Sequence, residues 1–154
     1  MELTNTYKKE ESKKFTAKNV FAIIATAVGL LQLLFLLLKG INYTNASYAS
    51  YYSDGDMNMA NLIFGGSVFR SGPNIGLLIA FIFMLIAIVL SIVVHFWTPA
   101  GYFGILLLIT SSILWFCTVP LYGNMAASLG AAGICLGIFN LVDAVLLFLA
   151  VAYN

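Results

Sequence analysis

Charge is what this sequence has least of. Asp, Glu, Lys and Arg make up 8% of its 154 residues, against about 25% in a soluble domain. So few charges cannot cover a water-facing surface, which excludes an ordinary soluble globular fold. There is a single His, His95, and there are two cysteines, Cys117 and Cys135. They offer no His/Cys metal spacing and no C-x-x-C for redox work. No Gly-rich phosphate loop and no long soluble segment is present. A net charge of +1 and a pI near 7.7 give no basic face for nucleic acid. An intramembrane enzyme needs a nucleophile–base pair or a metal trio. A lone His95 and a lone Asp143, at different depths, supply neither, so the chain is expected to be no enzyme and to carry no cofactor.

What the sequence has instead is hydrocarbon. Hydrophobic residues are 62% of the chain and the mean hydropathy is +0.99. Four apolar runs stand out, at about 20–38, 75–94, 100–119 and 131–152. Each is close to the roughly 20 residues that a helix needs to cross a bilayer. Each must be helix, because in lipid only a helix satisfies its own backbone within one segment. The reading is an all-α membrane protein: residues 1–18 form a Lys-rich tail, and 19–154 form a single four-helix transmembrane bundle with a structured outer loop at 41–73. The first run is too long for a signal-peptide core and is read as a retained span. "HFWTPAG" (95–101) predicts Thr98 as an N-cap and Pro99 at the first helical position.

The charges are unevenly placed. Lys8, Lys9, Lys13, Lys14 and Lys18 precede the first run, leaving only Lys39 and Arg70 beyond. This asymmetry predicts a cytoplasmic N-terminus. An even number of crossings then predicts a cytoplasmic C-terminus, in a multi-pass protein of the cell membrane. The tail is read as solvated.

The loop begins with Tyr, Ser and Asn, and continues through an apolar patch, Met57–Phe64, to Gly65-Gly66. Two readings stay open. It is a cap, with 56–64 partly helical and lying on the bundle, or a recognition surface carried by Tyr48, Tyr51, Tyr52, Phe64, Phe69 and Arg70. Gly65-Gly66 also permits a small hairpin ending in Phe69. Asp54-Gly55-Asp56 lacks the rest of a calcium loop and reads as a turn. Asn42-Tyr43-Thr44 and Asn45-Ala46-Ser47 match the glycosylation pattern, which is cheap in such a segment.

The Lys-rich tail, one span, an "IFGGS" element (63–67), then "GLLIAFIFMLIAIVL" and a tight three-helix remainder resemble small four-span membrane proteins of low-GC Gram-positive bacteria. That resemblance implies a location and a topology, not an activity. Claudin-like proteins share the outline, but their loop Trp, Gly-Leu-Trp element and paired cysteines are missing from 41–74.

Depth singles out a belt of polar residues. Gln32, Thr110, Ser111, Ser112, Asn140 and Asp143 fall near one level of the four runs. Asn140 and Asp143 share a helix face. A carboxylate facing lipid there costs at least about 2.5–3.5 kcal/mol, so Asp143 is expected to face inward, toward Gln32 or 110–112, in its cheaper neutral form. Packing, a proton-responsive or cation-contacting site, and a contact for a partner's charge are all compatible with the belt. Gly130, Gly133 and Gly137 are spaced for close helix approach, within the bundle or across a dimer. Cys117 and Cys135 lie at similar depth and read as small buried thiols or a bridged pair. These features point to a non-enzymatic interaction protein or accessory subunit of a membrane complex, with lipid and a membrane-protein partner or homo-oligomer around it. The alternative is a small oligomeric transporter or channel with a proton-responsive Asp143.

Overall fold

Four long apolar helices have one economical solution in lipid, an antiparallel bundle, and the chain adopts it. The computed structural model describes residues 2–43, 58–65, 73–122 and 126–153. The elements are α1 (Glu2–Phe35), β1 (Ile41–Tyr43), α2 (Met59–Phe64), α3 (Ile75–Val93), α4 (Pro99–Phe116), α5 (Thr118–Tyr122), β2 (Ala126–Leu129) and α6 (Ala131–Ala152). Among the described residues, four stretches are long and apolar enough to cross a membrane: Ala17–Phe35, Ile75–Val93, Pro99–Phe116 and Ala131–Ala152. Each packs against two others, so that α1 meets α3 and α6, and α4 meets the same pair. The first and last helices therefore close the ring, and Phe21 of α1 stacks on Tyr153 just beyond α6 at 5.6 Å.

The seam between α4 and α6 is built from small residues, which let lipid-embedded backbones approach. A side chain added at Gly101 would strike Val151, one at Gly104 would strike Leu147, and one at Gly137 would strike the Phe116 ring. Ser112 Oγ donates to the Gly137 carbonyl at 2.7 Å. Gly133 lies against Leu129 and the Trp115 carbonyl, and Gly130 lies against the backbone of 39–41. All three glycines of the predicted stripe thus meet this chain's own atoms.

The boundaries differ from the sequence reading in three places. The tail and first span form one 34-residue helix, since no Pro or Gly in 2–18 breaks it. Its far end is earlier than residue 38, because 36–38 tighten into i→i−3 bonds, such as Leu38 N to Phe35 O at 3.1 Å. α4 stops at Phe116, since Pro120 cannot continue a helix whose next carbonyl acceptor would be residue 116. Within 56–64, expected to be partly helical, Met59–Phe64 is helix, which removes the hairpin alternative. Gly65 has φ 78° and ends α2 with its N–H bonded to Asn61 O, a positive-φ position that glycine fills most easily. Residues 66–70, with the rest of that alternative, lie outside the described residues.

The end of α1 is the organising point of one face of the bundle. A helix C-terminus leaves carbonyls without partners, and a helix N-terminus leaves amides without them. Here the two deficits cancel. Leu36 O and Leu38 O accept from Ala60 N and Met59 N at 3.0 and 2.9 Å, at the start of α2. Lys39 O and Gly40 O accept from Ala132 N and Gly130 N, both at 2.9 Å, at the start of α6. β1 then pairs antiparallel with β2, Ile41 opposite Leu129 and Asn42 opposite Ser128. Met59, Leu62 and Ile63 are fully buried against Leu36, Ile41, Leu77 and Trp115. A second apolar cluster, around Ala22, Val94, Leu108, Leu147 and Ala150, fills the opposite end.

Candidate functional site

Between these two apolar clusters lies a polar layer that touches all four spanning helices. Ser111 Oγ on α4 donates to the Ala80 carbonyl of α3 at 2.8 Å. Asn140 Nδ2 on α6 donates to Ser111 Oγ at 2.9 Å. One turn along α6, Asp143 Oδ2 accepts from Gln32 Nε2 of α1 at 3.4 Å. Gln32, Ser111 and Asn140 are fully buried and Asp143 is 2% exposed.

Helix geometry explains how Gln32 and Asp143 meet. Gln32 lies in the last turn of α1, not at its middle as the longer first run implied. Side chains on a helix lean toward its N-terminus. Because α1 and α6 are antiparallel, Gln32 leans away from the capped end and Asp143 leans toward it. Gly29 leaves room for the carboxylate: a Cβ there would sit 3.2 Å from Asp143 Oδ2 and 2.6 Å from Ile88 Cγ1.

Of the predicted belt, Gln32, Ser111, Asn140 and Asp143 come together. Ser112 is buried but points to the Gly137 carbonyl. Thr110 does not join them: its hydroxyl bonds back to Leu106 O of its own helix at 2.9 Å, at an exposed position. A run of three hydroxyl residues spans most of a helical turn, so one of them must face away.

Three side-chain oxygens of the layer are buried without a hydrogen-bond partner: Gln32 Oε1, Asn140 Oδ1 and Asp143 Oδ1. A fourth such atom, Trp115 Nε1, is a donor and lies one turn nearer the cap. Among the described residues no three His, Cys, Asp or Glu side chains gather. Cys117 and Cys135 are free thiols, each half-buried.

Sequence reasoning missed the polar contacts toward the other end. Thr26 and Ser91 hydroxyls meet at 2.8 Å between α1 and α3. Lys18 is 6% exposed, and its Nζ donates to Thr98 Oγ1 at 3.0 Å. It is therefore not part of a solvated tail; its long apolar stem lies along the bundle with the ammonium at the end. Thr98 in turn makes no side-chain cap, and its backbone is already helical, while Pro99 does stand in the first turn of α4. His95 Nδ1 lies 2.9 Å from Asn19 Oδ1 at the same joint. Spacing within one segment could not reveal these pairs, whose members are more than sixty positions apart.

Of the loop positions singled out in the sequence, Phe64 is described. It is half exposed and packs edge-on against Phe81 at 5.4 Å. Tyr48, Tyr51, Tyr52, Phe69 and Arg70, and the Asp54–Asp56 turn, lie outside the described residues. Comparison of the chain with family models, with curated proteins and with solved structures returns no match.

Proposed function

We propose that this multi-pass membrane protein is a non-enzymatic interaction protein, an accessory subunit of a larger complex in the cell membrane. The observation that supports this most is how the 41–73 segment is tied down. Tyr43 is held in β1 against β2. Asn58 is bridged to Lys39, and its side chain caps α2 by accepting from Asn61 N at 2.8 Å. The residues on both sides of 44–57 are thus fixed to one end of the bundle. A loop held at both ends by a rigid scaffold is where binding residues concentrate. Its Tyr, Ser and Asn content suits adaptable contacts. We assign partner contact to Tyr48, Tyr51 and Tyr52, and to Phe64, Phe69 and Arg70. The Lys asymmetry puts both termini in the cytoplasm and this loop outside.

The test replaces Tyr48, Tyr51 and Tyr52 with Ser and compares purification from native membranes. Loss of a stoichiometric partner, with unchanged melting of the bundle, is the expected result. Retention of every partner by the variant overturns the assignment.

A second reading, a small oligomeric transporter or channel using Asp143, draws support from the unpartnered oxygens around that residue. Ion flux through reconstituted protein, lost in Asp143→Asn, is its signature, and its test is the absence or presence of that flux.

A further inference from the structure

The polar layer is short of donors, not of acceptors. Ser111 has one proton and gives it to Ala80, which fixes the Asn140 amide with its nitrogen toward Ser111 and its oxygen turned away. The carboxylate likewise orients Gln32 with its nitrogen toward Asp143. Gln32 Oε1, Asn140 Oδ1 and Asp143 Oδ1 are then left as three buried acceptors. Buried oxygens without partners are costly, and a buried charge without one is costlier still.

The groups facing the site come from every helix around it. They are Gly29 and Gln32 from α1, Ile88 beside Gly29 and the Ala80 carbonyl from α3, and Ser111 from α4. Among the described residues, none of these groups titrates and none carries charge. Lys39 and His95 stand at opposite ends of the bundle. A proton on Asp143 would turn one acceptor into a donor and satisfy one more, leaving the third unmatched. A cation held among them would take lone pairs from all three, because each oxygen keeps its acceptor capacity unused. One carboxylate and two neutral amides carry a single negative charge, so a single positive charge neutralises the site in a low-dielectric interior. Amide and carboxylate oxygens are hard ligands, suited to hard cations.

We propose that Gln32, Asn140 and Asp143 supply the oxygens of a binding site for one small monovalent cation, of the sodium class, inside the bundle. Binding is a claim separate from transport, because an ion that never moves would also satisfy it. Gly29 belongs to the same device: it keeps space beside the carboxylate that any larger residue would take.

The experiment measures equilibrium binding of radioactive sodium to the full-length protein in nanodiscs, with choline as the inert control. Saturable binding at one ion per chain is expected. So is an affinity that weakens about tenfold per pH unit once protons compete for the carboxylate. Sodium, and not choline, should also raise the melting temperature in a saturable way, as any ligand of the native state does. Asp143→Asn and, separately, Asn140→Leu should each weaken binding at least about tenfold, the loss of a charge-assisted contact or of a ligand. Absence of saturable sodium, lithium or potassium binding by the wild-type protein up to about 100 mM, far above a specific site's range, overturns the proposal, whatever the variants do. Melting that follows pH alone, with no cation dependence, overturns it too and leaves a proton as the occupant. Binding without flux in sealed vesicles supports the site and counts against the transporter reading.

Discussion

Asp143 is held in hydrocarbon by neighbours that are polar but uncharged, and this decides which substitutions it tolerates. Asp143→Asn keeps the shape and the Gln32 contact, so the protein should insert, purify as a single species and melt close to wild type in choline buffer. Asp143→Lys places a cation where no acid waits, at a cost of about 2.5–3.5 kcal/mol or more, and should express poorly and aggregate in detergent. Fluorescence-detected size exclusion separates the two outcomes. Gly29→Ala is the finer probe. Its Cβ would press on Ile88 at 2.6 Å and on the carboxylate at 3.2 Å, so about 1–3 kcal/mol of overpacking is expected, read as a lower melting temperature. The partners of Asp143 were partly legible in the sequence: depth and the i,i+3 spacing of Asn140 singled out the right neighbourhood. Which of Thr110, Ser111 and Ser112 turned inward was not legible, since an almost uniformly apolar helix has no polar face to set its rotation. Lys18 was misjudged for a related reason, because charge in a tail says nothing about where a long flexible side chain ends.

At the level of elements, the spans were legible because length and hydropathy are local properties. The cap was not. β1 and β2 are three and four residues long, and no local pattern ties two such segments across half the chain. The helical form of 59–64 was half legible from its apolar content, while its docking on the end of α1 depends on backbone groups that look alike in any sequence. Two glycines separate backbone conformation from close approach in this region. Gly65→Ala should cost about 1–3 kcal/mol, the penalty of a sparsely populated positive-φ conformation for a residue with a Cβ, and leave the rest of the cap in place. Gly130→Ala should do more damage, because its Cβ would overlap backbone atoms of Lys39, Gly40 and Ile41, which have no flexible end to move aside. Hydrogen exchange checks the difference. Protection of the amides at 130 and 132, the donors to the Gly40 and Lys39 carbonyls, should survive the first change and fall sharply in the second.

For the whole molecule, the closed ring of four helices puts the beginning of the first span and the end of the last at one end, and the cap at the other. Cysteines placed singly at Ser12 and Ser53 should therefore label differently with an impermeant thiol reagent. Position 53 should react in intact cells and position 12 only after permeabilisation; the reverse pattern would invert the protein in the membrane. The cancelled deficits at the end of α1 have a further consequence, which concerns time. The Lys39 and Gly40 carbonyls find their donors at Ala132 and Gly130, about ninety residues later in the chain, which at ribosomal speed is roughly 5–20 seconds of synthesis. Throughout that interval the first helix sits in the membrane with its end unfinished. Isotope-edited infrared bands of the Lys39 and Gly40 carbonyls should therefore lie at the unbonded position in ribosome-bound chains stopped before residue 130, and shift in chains released after α6 has entered. Assembly of this protein therefore ends where it began: the last helix to be made completes the first.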